Sequence, residues 1–330
     1  MSILSVYATN KSLTQLTMQD ICALDILNIG FGVLENGEIS LRDVTHIDNI
    51  RTFRIVNPDL KIYLSLANGP DCSFAQASCT EEGRHKVVES IVRIVTKWEF
   101  DGIDVDWEYP SGLEEKHNHT LLLKDIRAGL DTISHERYRG LSIAAGSKSW
   151  YFDITELSES VRYLDYVNLM SYDINANEHT TMHHACPTKM NTDLVVEGST
   201  EENIELFIQK GVPPEKLIIG AAFYSRQWEE VENKNNGLHS YAGTPSDYGP
   251  GYTQLVRNYI NKNGYTRYWD EAANAPYLFN GDNFITYEDE ESLRYKCYLV
   301  KKWKIAGIMA WEYSYDEEHT LISFMRNELK

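Results

Sequence analysis

The sequence predicts an α/β fold, a (β/α)8 TIM barrel with an α+β subdomain inserted between its seventh and eighth strands. Short apolar runs alternate with amphipathic segments along the chain, which is typical of βα units around a parallel sheet. Eight such runs can be counted. The length of 330 residues also fits, since single barrels span about 200–400 residues with insertions.

Each candidate strand is a short run rich in apolar residues and bounded by polar or turn-forming residues. The eight runs are residues 3–7, 26–34, 61–66, 102–108, 141–146, 166–172, 217–224 and 306–311. Active sites of such barrels lie at the carboxyl ends of the strands. We therefore expect functional side chains at the ends of these runs.

Helices are predicted between the strands by apolar residues at intervals of three and four. The repeats comprise Val88, Ile91, Val92 and Val95 after the third strand, and Leu122, Ile126, Leu130 and Ile133 after the fourth. Two further helix starts are predicted by capping boxes, in which a hydroxyl and a carboxylate bind the first free amides. These pairs are Ser111 with Glu114 and Ser199 with Glu202.

The regular spacing fails once, between the seventh and eighth strands. Residues 226–285 are rich in Gly, Asn, Pro and aromatic side chains. Loops longer than about 15 residues seldom lack structure inside a domain. We therefore predict that residues 1–225 and 286–330 form the barrel and that residues 226–285 form a compact subdomain on its active-site side.

Charge narrows the classes of partner. The chain has 31 Lys and Arg against 49 Asp and Glu, a net charge of −18. Such a charge repels nucleic acid and anionic membrane surfaces, and no apolar stretch approaches the ~18 residues of a membrane span. We expect a monomer with neither kind of partner, and a neutral polymer as ligand is compatible with this charge.

Cysteine spacing and the N-terminus leave the compartment open. The five cysteines form no CxxC pair, and only Cys72 and Cys79 are spaced for a short-loop bridge, with ordinary thiols as the alternative. No signal peptide is visible in the first residues.

The fourth strand carries the main chemical signal. Its period of two places Asp104, Asp106 and Glu108 on one face. Like charges so close together raise the pKa of at least one carboxyl group. A carboxyl that stays protonated at neutral pH is what general acid catalysis requires.

A metal site is the alternative use of these acids. A calcium loop starting at Asp104 would need glycine at its sixth position, which is Tyr109 here. A transition metal would have to recruit His179, His183 or His184. We predict no metal and no cofactor.

Residues 101–108, DGIDVDWE, match the DGxDxDxE motif of the chitinases of glycoside hydrolase family 18. Other segments of the chain resemble the family in its order: 170–173 (MSYD), 223–226 (FYSR), 307–311 (GIMAW), and 268–270, 275–277 and 284–289 in and after the insertion. The resemblance covers essentially the whole chain and includes a chitinase insertion domain. Residues 65–69 (SLANG) depart from the usual SxGG, and Ser225 replaces a glycine.

The resemblance implies a glycoside hydrolase that cleaves β-1,4-linked N-acetylglucosamine with retention, by the substrate-assisted route. Glu108 would be the general acid and base. Asp106 would orient the substrate's acetamido group, and Asp104 would share a proton with Asp106. Tyr172 would hold the acetamido oxygen.

The resemblance also implies a set of sugar-binding residues at other strand ends. Trp311 would be the floor on which a sugar stacks. The further residues are Tyr7 and Phe31 as walls, Met170 and Asp173 in the same subsite, and Tyr224 with Arg226 at the start of the insertion. Core packing is the alternative for Tyr7, Phe31 and Met170, and an ion pair is the alternative for Arg226. Trp228 and Tyr287 would lengthen the cleft.

The partner implied is chitin or an N-acetylglucosamine oligosaccharide. A sugar-binding lectin is the second reading, although relatives of that kind have lost the catalytic glutamate, which is present here. An endo-β-N-acetylglucosaminidase acting on N-glycans or peptidoglycan is the third, and a metal-dependent hydrolase the fourth. A polymer substrate suggests an extracellular or cell-surface location, while a cytoplasmic one stays open.

Overall fold

A computed structural model of the protein describes residues 2–69, 73–133, 137–176, 179–194, 196 and 198–330. The strands in this part of the chain are β1 (Ile3–Thr9), β2 (Ile26–Glu35), β3 (Glu38–Ser40), β4 (Lys61–Asn68), β5 (Gly102–Asp106), β6 (Gly140–Gly146), β7 (Tyr166–Met170), β8 (Leu217–Ala222), β9 (Tyr224–Trp228), β10 (Asp247–Gly251), β11 (Thr266–Asp270), β12 (Ala275–Phe279), β13 (Phe284–Thr286) and β14 (Gly307–Trp311). The α-helices are α1 (Met18–Ala23), α2 (Asn49–Val56), α3 (Ser73–Ser78), α4 (Glu81–Trp98), α5 (Gly112–Asp131), α6 (Tyr151–Ile154), α7 (Leu157–Ser160), α8 (Thr200–Gln209), α9 (Tyr252–Asn258), α10 (Glu290–Trp303) and α11 (Thr320–Leu329).

Eight parallel strands close into a barrel. Their order is β1, β2, β4, β5, β6, β7, β8 and β14, and β14 pairs with β1 to complete the ring. β3 extends the sheet as an antiparallel hairpin with β2. The predicted (β/α)8 barrel is confirmed, with each predicted run overlapping one barrel strand.

The alternation in β5 separates chemistry from packing. Ile103 and Val105 are buried in the layer between barrel and helices, and Trp107 stacks on Phe74 of α3 with ring centroids 5.4 Å apart. Asp104 points the other way, into the barrel interior, where it is fully buried. The apolar face therefore fixes the strand while the acidic face stays available at the barrel mouth.

Helix α4 lies where the apolar repeat predicts it, but its buried face is rotated. Val87, Ile91 and Val95 are buried against the sheet, whereas Val88 is only half-buried. A Cβ at Gly129 of α5 would lie 2.3 Å from Val88, so the two helices touch closely there.

The two predicted helix caps have different outcomes. Ser199 accepts from the Glu202 amide at 3.3 Å, as predicted, but the Glu202 carboxylate accepts from the Ser199 hydroxyl at 3.0 Å instead of from the Ser199 amide, so only half of the box forms. Ser111 makes no side-chain cap, and its own amide instead donates to Glu115 at 2.8 Å. The predicted Ser111 and Glu114 box is therefore wrong, because the carboxylate that reaches back lies one residue later.

A second, antiparallel sheet has the order β10, β9, β13, β12, β11, with α9 between β10 and β11. Its own core includes Trp228, Tyr277 and Phe284. Trp228 and Tyr287 are almost fully buried, so the prediction that they lengthen the cleft is wrong: Trp228 packs in the core of this sheet, and Tyr287 packs in the main core of the barrel.

Two further predictions concern single segments. Among the described helices, none is both long and apolar enough to cross a membrane. Cys72 lies outside the described residues, so the short-loop bridge to Cys79 stays a prediction.

Candidate active site

A cavity of about 620 Å³ opens at the carboxyl ends of the barrel strands. Ten of the eleven predicted site residues line it: Tyr7, Phe31, Asp106, Glu108, Met170, Tyr172, Asp173, Tyr224, Arg226 and Trp311. The eleventh, Asp104, lies beneath the cavity floor inside the barrel. Residues from six strand ends therefore converge on one site, as the barrel rule predicts.

Asp104 is surrounded by hydrogen-bond donors. Its Oδ2 accepts from the hydroxyls of Tyr7 at 2.9 Å and Ser65 at 2.7 Å. Its Oδ1 accepts from Ser142 Oγ at 2.6 Å and Asn168 Nδ2 at 3.1 Å. Burial raises the pKa of Asp104, and these four donors oppose that rise. The four bonds engage both oxygens and fix the base of the acidic face.

Asp106 and Glu108 form the upper part of the same face. Burial raises the pKa of Asp106 well above its ordinary value, and the charges of Glu108 and Asp104 raise it further. Like charge therefore acts as predicted, but burial is the larger cause. Asp106 lies within hydrogen-bonding reach of Glu108, which is exposed to the cavity. In this structure Asp106 thus interacts with Glu108, while both oxygens of Asp104 accept hydrogen bonds from neutral donors.

The pKa of Asp173 shifts in the opposite direction from that of Asp106. Arg226 donates to it through Nε at 2.7 Å and Nη2 at 2.9 Å, and His184 Nδ1 lies 3.2 Å away. Burial alone would raise the pKa of Asp173, but these partners hold it well below its ordinary value. Arg226 is therefore both an ion-pair partner and part of the cavity wall, where it also lies 3.7 Å from the ring centroid of Tyr248.

Tyr172 is held close to the next strand. A Cβ at Gly220 of β8 would lie 2.7 Å from its ring, so only glycine allows this approach. Burial and the charges of Glu108 and Asp106 raise the pKa of Tyr172 well above its ordinary value. The phenol therefore keeps its proton and presents a donor to the cavity.

A buried ion pair binds the backbone of β8 and of the segment just before Tyr172. Lys296 of α10 lies 2.9 Å from Glu288 and donates to the carbonyls of Gly220 at 2.6 Å and Ser171 at 3.2 Å. Glu288 in turn accepts from the Ala222 amide at 2.7 Å. This arrangement fixes the backbone on either side of Tyr172 and was not predicted from the sequence.

An aromatic floor lies across the barrel from Glu108. Trp311 contacts Tyr7 and Phe31 with ring centroids 5.6 and 5.8 Å apart, and Met170 packs in the same cluster as Trp311. Tyr7 is nearly buried and its hydroxyl is used by Asp104, so it has both roles that the sequence left open. Trp311 is partly exposed and lines the cavity.

Several cavity residues were missed by the sequence analysis. They are Ala67, Asn68, Tyr109, Ala144, Gly146, Ser147, Lys148, Trp150 and Tyr248. Lys148 and Trp150 follow directly on β6, so applying the strand-end rule to the fifth predicted run would have found them. Tyr248 comes from the inserted sheet, and no sequence signal connects it to the barrel mouth.

The three histidines proposed for a metal site make other contacts. His183 Nε2 lies 3.3 Å from Asp270, and His179 Nδ1 lies 3.0 Å from the Ala242 carbonyl. His184 is engaged with Asp173. Within the described ranges, no three His, Cys, Asp or Glu side chains are grouped as a metal site.

A parallel barrel that combines an exposed carboxyl group, a neighbouring carboxyl of raised pKa and an aromatic floor defines a barrel glycosidase as the class of protein. The chain matches the family model "Glycosyl hydrolases family 18" over residues 3–316 and belongs to that family.

Relatives agree with this assignment. The chain is 33% identical to chitinase A1 of Niallia circulans, over 86% of this chain and 44% of that protein, and 28% identical to chitinase B of Serratia marcescens, over 84% and 68% respectively. The chain thus spans less than half of the first of these two relatives. A solved family 18 N-acetylglucosaminidase from Paenibacillus barengoltzii is 40% identical, with a TM-score of 0.95 over the whole of both chains.

Proposed function

We propose that the protein is a chitinase that hydrolyses the β-1,4 linkages of chitin or its oligosaccharides with retention of configuration. One observation carries the proposal. The acidic face that begins on β5 runs from the buried, fully bonded Asp104 through the partly buried Asp106 to the exposed Glu108, two residues beyond the strand and opposite the floor at Trp311. This graded burial gives the three carboxyl groups three different environments.

Glu108 acts as the general acid. Its carboxyl proton passes to the glycosidic oxygen as the bond from that oxygen to the anomeric carbon breaks. The substrate's own acetamido oxygen bonds to the anomeric carbon and forms an oxazolinium ion. Water then attacks the anomeric carbon from the leaving-group side as the bond from that carbon to the acetamido oxygen breaks, and the Glu108 carboxylate takes a proton from the water, so the configuration is retained.

Asp106 and Tyr172 hold the acetamido group in this scheme. The Asp106 carboxylate accepts from the acetamido N–H and balances the charge that develops on the ring. Asp106 must be ionised to balance that charge. Because the charge of Glu108 raises the pKa of Asp106, the ionisation of Asp106 depends on whether Glu108 is protonated. Tyr172 donates its hydroxyl to the acetamido oxygen.

The floor and the wall position the sugar. Trp311 stacks on its apolar face with Tyr7 and Phe31 behind it, while Met170, Asp173, Tyr224 and Arg226 also line the cavity. We include residues 226–285 in the proposal as an insertion subdomain, since Arg226 and Tyr248 extend the cavity wall.

The Paenibacillus barengoltzii relative favours a second candidate. Its published description is an N-acetylglucosaminidase, and it is similar to this chain over the full length of both. On this reading the same chemistry would release single N-acetylglucosamine units rather than cleave inside a chain.

One experiment tests both. The protein is incubated with chitotetraose and chitohexaose, with and without EDTA, and products are followed by size and anomer during the first minutes. Initial release of the β-anomer, unaffected by EDTA, supports the proposal. Monosaccharide as the first product selects the second candidate, and internal fragments select the first. Binding without cleavage would overturn both in favour of a lectin.

A further inference from the structure

A fully buried lysine lies between helix α10 and the barrel strands. Lys296 has no exposed surface, and Glu288, its ion-pair partner at 2.9 Å, is 1% exposed. Burying such a pair costs free energy, and apolar side chains of similar volume often give a fold that is equally stable or more stable. The pair is therefore weak evidence for stability, and its other contacts indicate what it does.

Those other contacts are all with backbone groups. An ammonium group has three donors, and Lys296 uses them for three acceptors, which are Glu288 and the carbonyls of Gly220 at 2.6 Å and Ser171 at 3.2 Å. The Glu288 carboxylate accepts in turn from the amide of Ala222 at 2.7 Å. One buried pair thus binds three backbone groups of two neighbouring chain segments.

These contacts lie where the ladder between β7 and β8 ends. Residues 167–169 pair in register with residues 217–219. The chain then turns, and the Ser171 amide donates back to the carbonyl two residues earlier at 2.8 Å. The Ser171 hydroxyl lies 2.9 Å from both the amide nitrogen and the carbonyl oxygen of Gly220. Ser171 and Lys296 therefore hold the two segments together just beyond the ladder.

The turn places Tyr172 directly on β8. A Cβ at Gly220 would lie 2.7 Å from the tyrosine ring, so the ring packs on the residue whose carbonyl Lys296 binds. The second carbonyl that Lys296 binds belongs to Ser171, the residue before the tyrosine. The backbone before the ring and the backbone beneath it therefore share one donor. A shift of about 1 Å at a positioned group can cost ~100-fold in rate.

Helix α10 fixes the lysine in turn. Leu293, Cys297 and Val300 lie on the same face of the helix and are buried in the main core. Glu288 lies two residues after the end of β13, the last strand of the inserted sheet. The pair therefore links the exit of the insertion to the backbone around Tyr172.

We propose that Lys296 and Glu288 are positioning residues for Tyr172. They hold the turn after β7 against β8, so that the phenol hydroxyl stays where it donates to the acetamido oxygen of the substrate. This inference rests on the proposed function, because the donation by Tyr172 is part of it. It requires that loss of the pair lowers the rate only while the tyrosine hydroxyl is present.

A double-mutant cycle tests this requirement. Lys296→Met and Tyr172→Phe are made singly and together, and kcat for chitotetraose is measured per folded protein. We expect Tyr172→Phe to lower kcat about 100-fold and Lys296→Met to lower it at least about tenfold. In the Tyr172→Phe background, Lys296→Met should change kcat by less than about threefold. Lys301→Met, at an exposed position of α10, is the matched control and should behave as wild type.

A second variant covers a loss of folding. Lys296→Met leaves the Glu288 carboxylate buried without its cation, which destabilises a fold strongly. The variant with both Lys296→Met and Glu288→Gln is therefore measured in the same two backgrounds, with a thermal melt of each protein. The glutamine keeps an acceptor for the Ala222 amide, and we expect the same dependence on the tyrosine hydroxyl.

Several results would overturn the inference. An unchanged kcat in Lys296→Met, or an equal fall in both backgrounds, would show that the pair does not act through Tyr172, while the proposed function stands. Failure of both the single and the paired variant to fold would assign the pair to stability. An unchanged kcat in Tyr172→Phe would remove the tyrosine from the mechanism, and the inference with it. A wild-type protein that does not cleave chitotetraose would overturn the proposed function as well.

Discussion

Two carboxylates line the same cavity and have opposite electrostatic surroundings. Asp173 is bound by Arg226 and His184, which hold its pKa well below its ordinary value. Burial and two neighbouring carboxyl groups raise the pKa of Asp106 well above its ordinary value. Both residues are aspartates at the mouth of one barrel, so the difference comes from their neighbours alone.

The difference separates a fixed charge from a movable proton. A carboxylate bound by an arginine stays ionised across the physiological range and serves as a permanent anion. A carboxyl group crowded by others changes its protonation when a neighbour does, so the pair Asp106 and Glu108 can pass a proton to a substrate and recover it. The predictions below test this division from the strongest effect to the weakest.

Removing the ionisable group of Glu108 should have the largest effect. Glu108→Gln keeps the shape of the side chain but supplies no acidic proton, and we expect kcat to fall at least ~100-fold. Oligosaccharide binding and the melting temperature should stay close to wild type, because Glu108 is exposed. Steady-state kinetics and a thermal melt check this. An unchanged kcat would remove Glu108 from the chemical step.

Asp106→Asn should come next. It removes the group whose pKa is raised and the acceptor proposed for the acetamido N–H, so we expect kcat to fall by about 10- to 100-fold. Since the carboxyl group of raised pKa at position 106 no longer titrates, the acidic limb of the pH-rate profile should also move. A loss of rate with an unmoved profile would show that Asp106 does not share its proton with Glu108.

Arg226→Met should make the ionisation of Asp173 more like that of Asp106, because it removes the cation that keeps Asp173 charged. Without the guanidinium, the pKa of Asp173 should rise toward the ordinary aspartate value of about 3.9, and the rate should fall by up to about tenfold. A carboxyl of lowered pKa stabilises the fold above its unfolded-state pKa and loses that contribution as pH falls through its folded-state pKa. The variant should therefore gain less stability between pH 2 and pH 5 than wild type. Carboxyl NMR titration and unfolding at several pH values measure both effects.

His119 provides a third kind of titrating group, on the outer side of β5. It packs on Trp107, is nearly buried, and burial lowers its pKa to about 4. The unfolded chain takes up this proton near pH 6.5, so acidification favours unfolding between pH 6.5 and 4.

His119→Met should remove that dependence. Wild type should lose about 1 kcal/mol more unfolding free energy than the variant between pH 7 and pH 5.5. Denaturant unfolding at the two pH values is the measurement, with His46→Met at an exposed position as control. Equal pH dependence in wild type and His119→Met would mean that His119 is already protonated in the fold.

The barrel and the acidic strand were predictable because their signals are periodic and local. The run at 102–108 shows both an apolar and an acidic face, and a barrel then dictates which face points inward. The lowered pKa of Asp173 was not predictable. His184 lies 11 residues and Arg226 lies 53 residues from Asp173 along the chain, and nothing in either local pattern indicates a contact.

The errors have similar physical causes. Trp228 and Tyr287 were placed in the cleft because they border the insertion, yet Trp228 fills the core of the inserted sheet and Tyr287 packs in the main core of the barrel. Lys148 and Trp150 were overlooked because the loop after β6 has no periodicity. Ser225, which departs from the family glycine, is accommodated by a hydrogen bond of its Oγ to the Pro250 carbonyl at 2.7 Å.

The inserted sheet leaves and rejoins the barrel through neighbouring strands. β9 follows β8 after one residue, and β13 pairs with β9 through Thr286 and Arg226 before the chain enters α10. Paired strands lie about 4.8 Å apart, so the two junctions are within reach of a tight turn. The two ends of the inserted sheet thus lie side by side, and exchanging or excising the sheet at this point would leave the eight-stranded ring continuous.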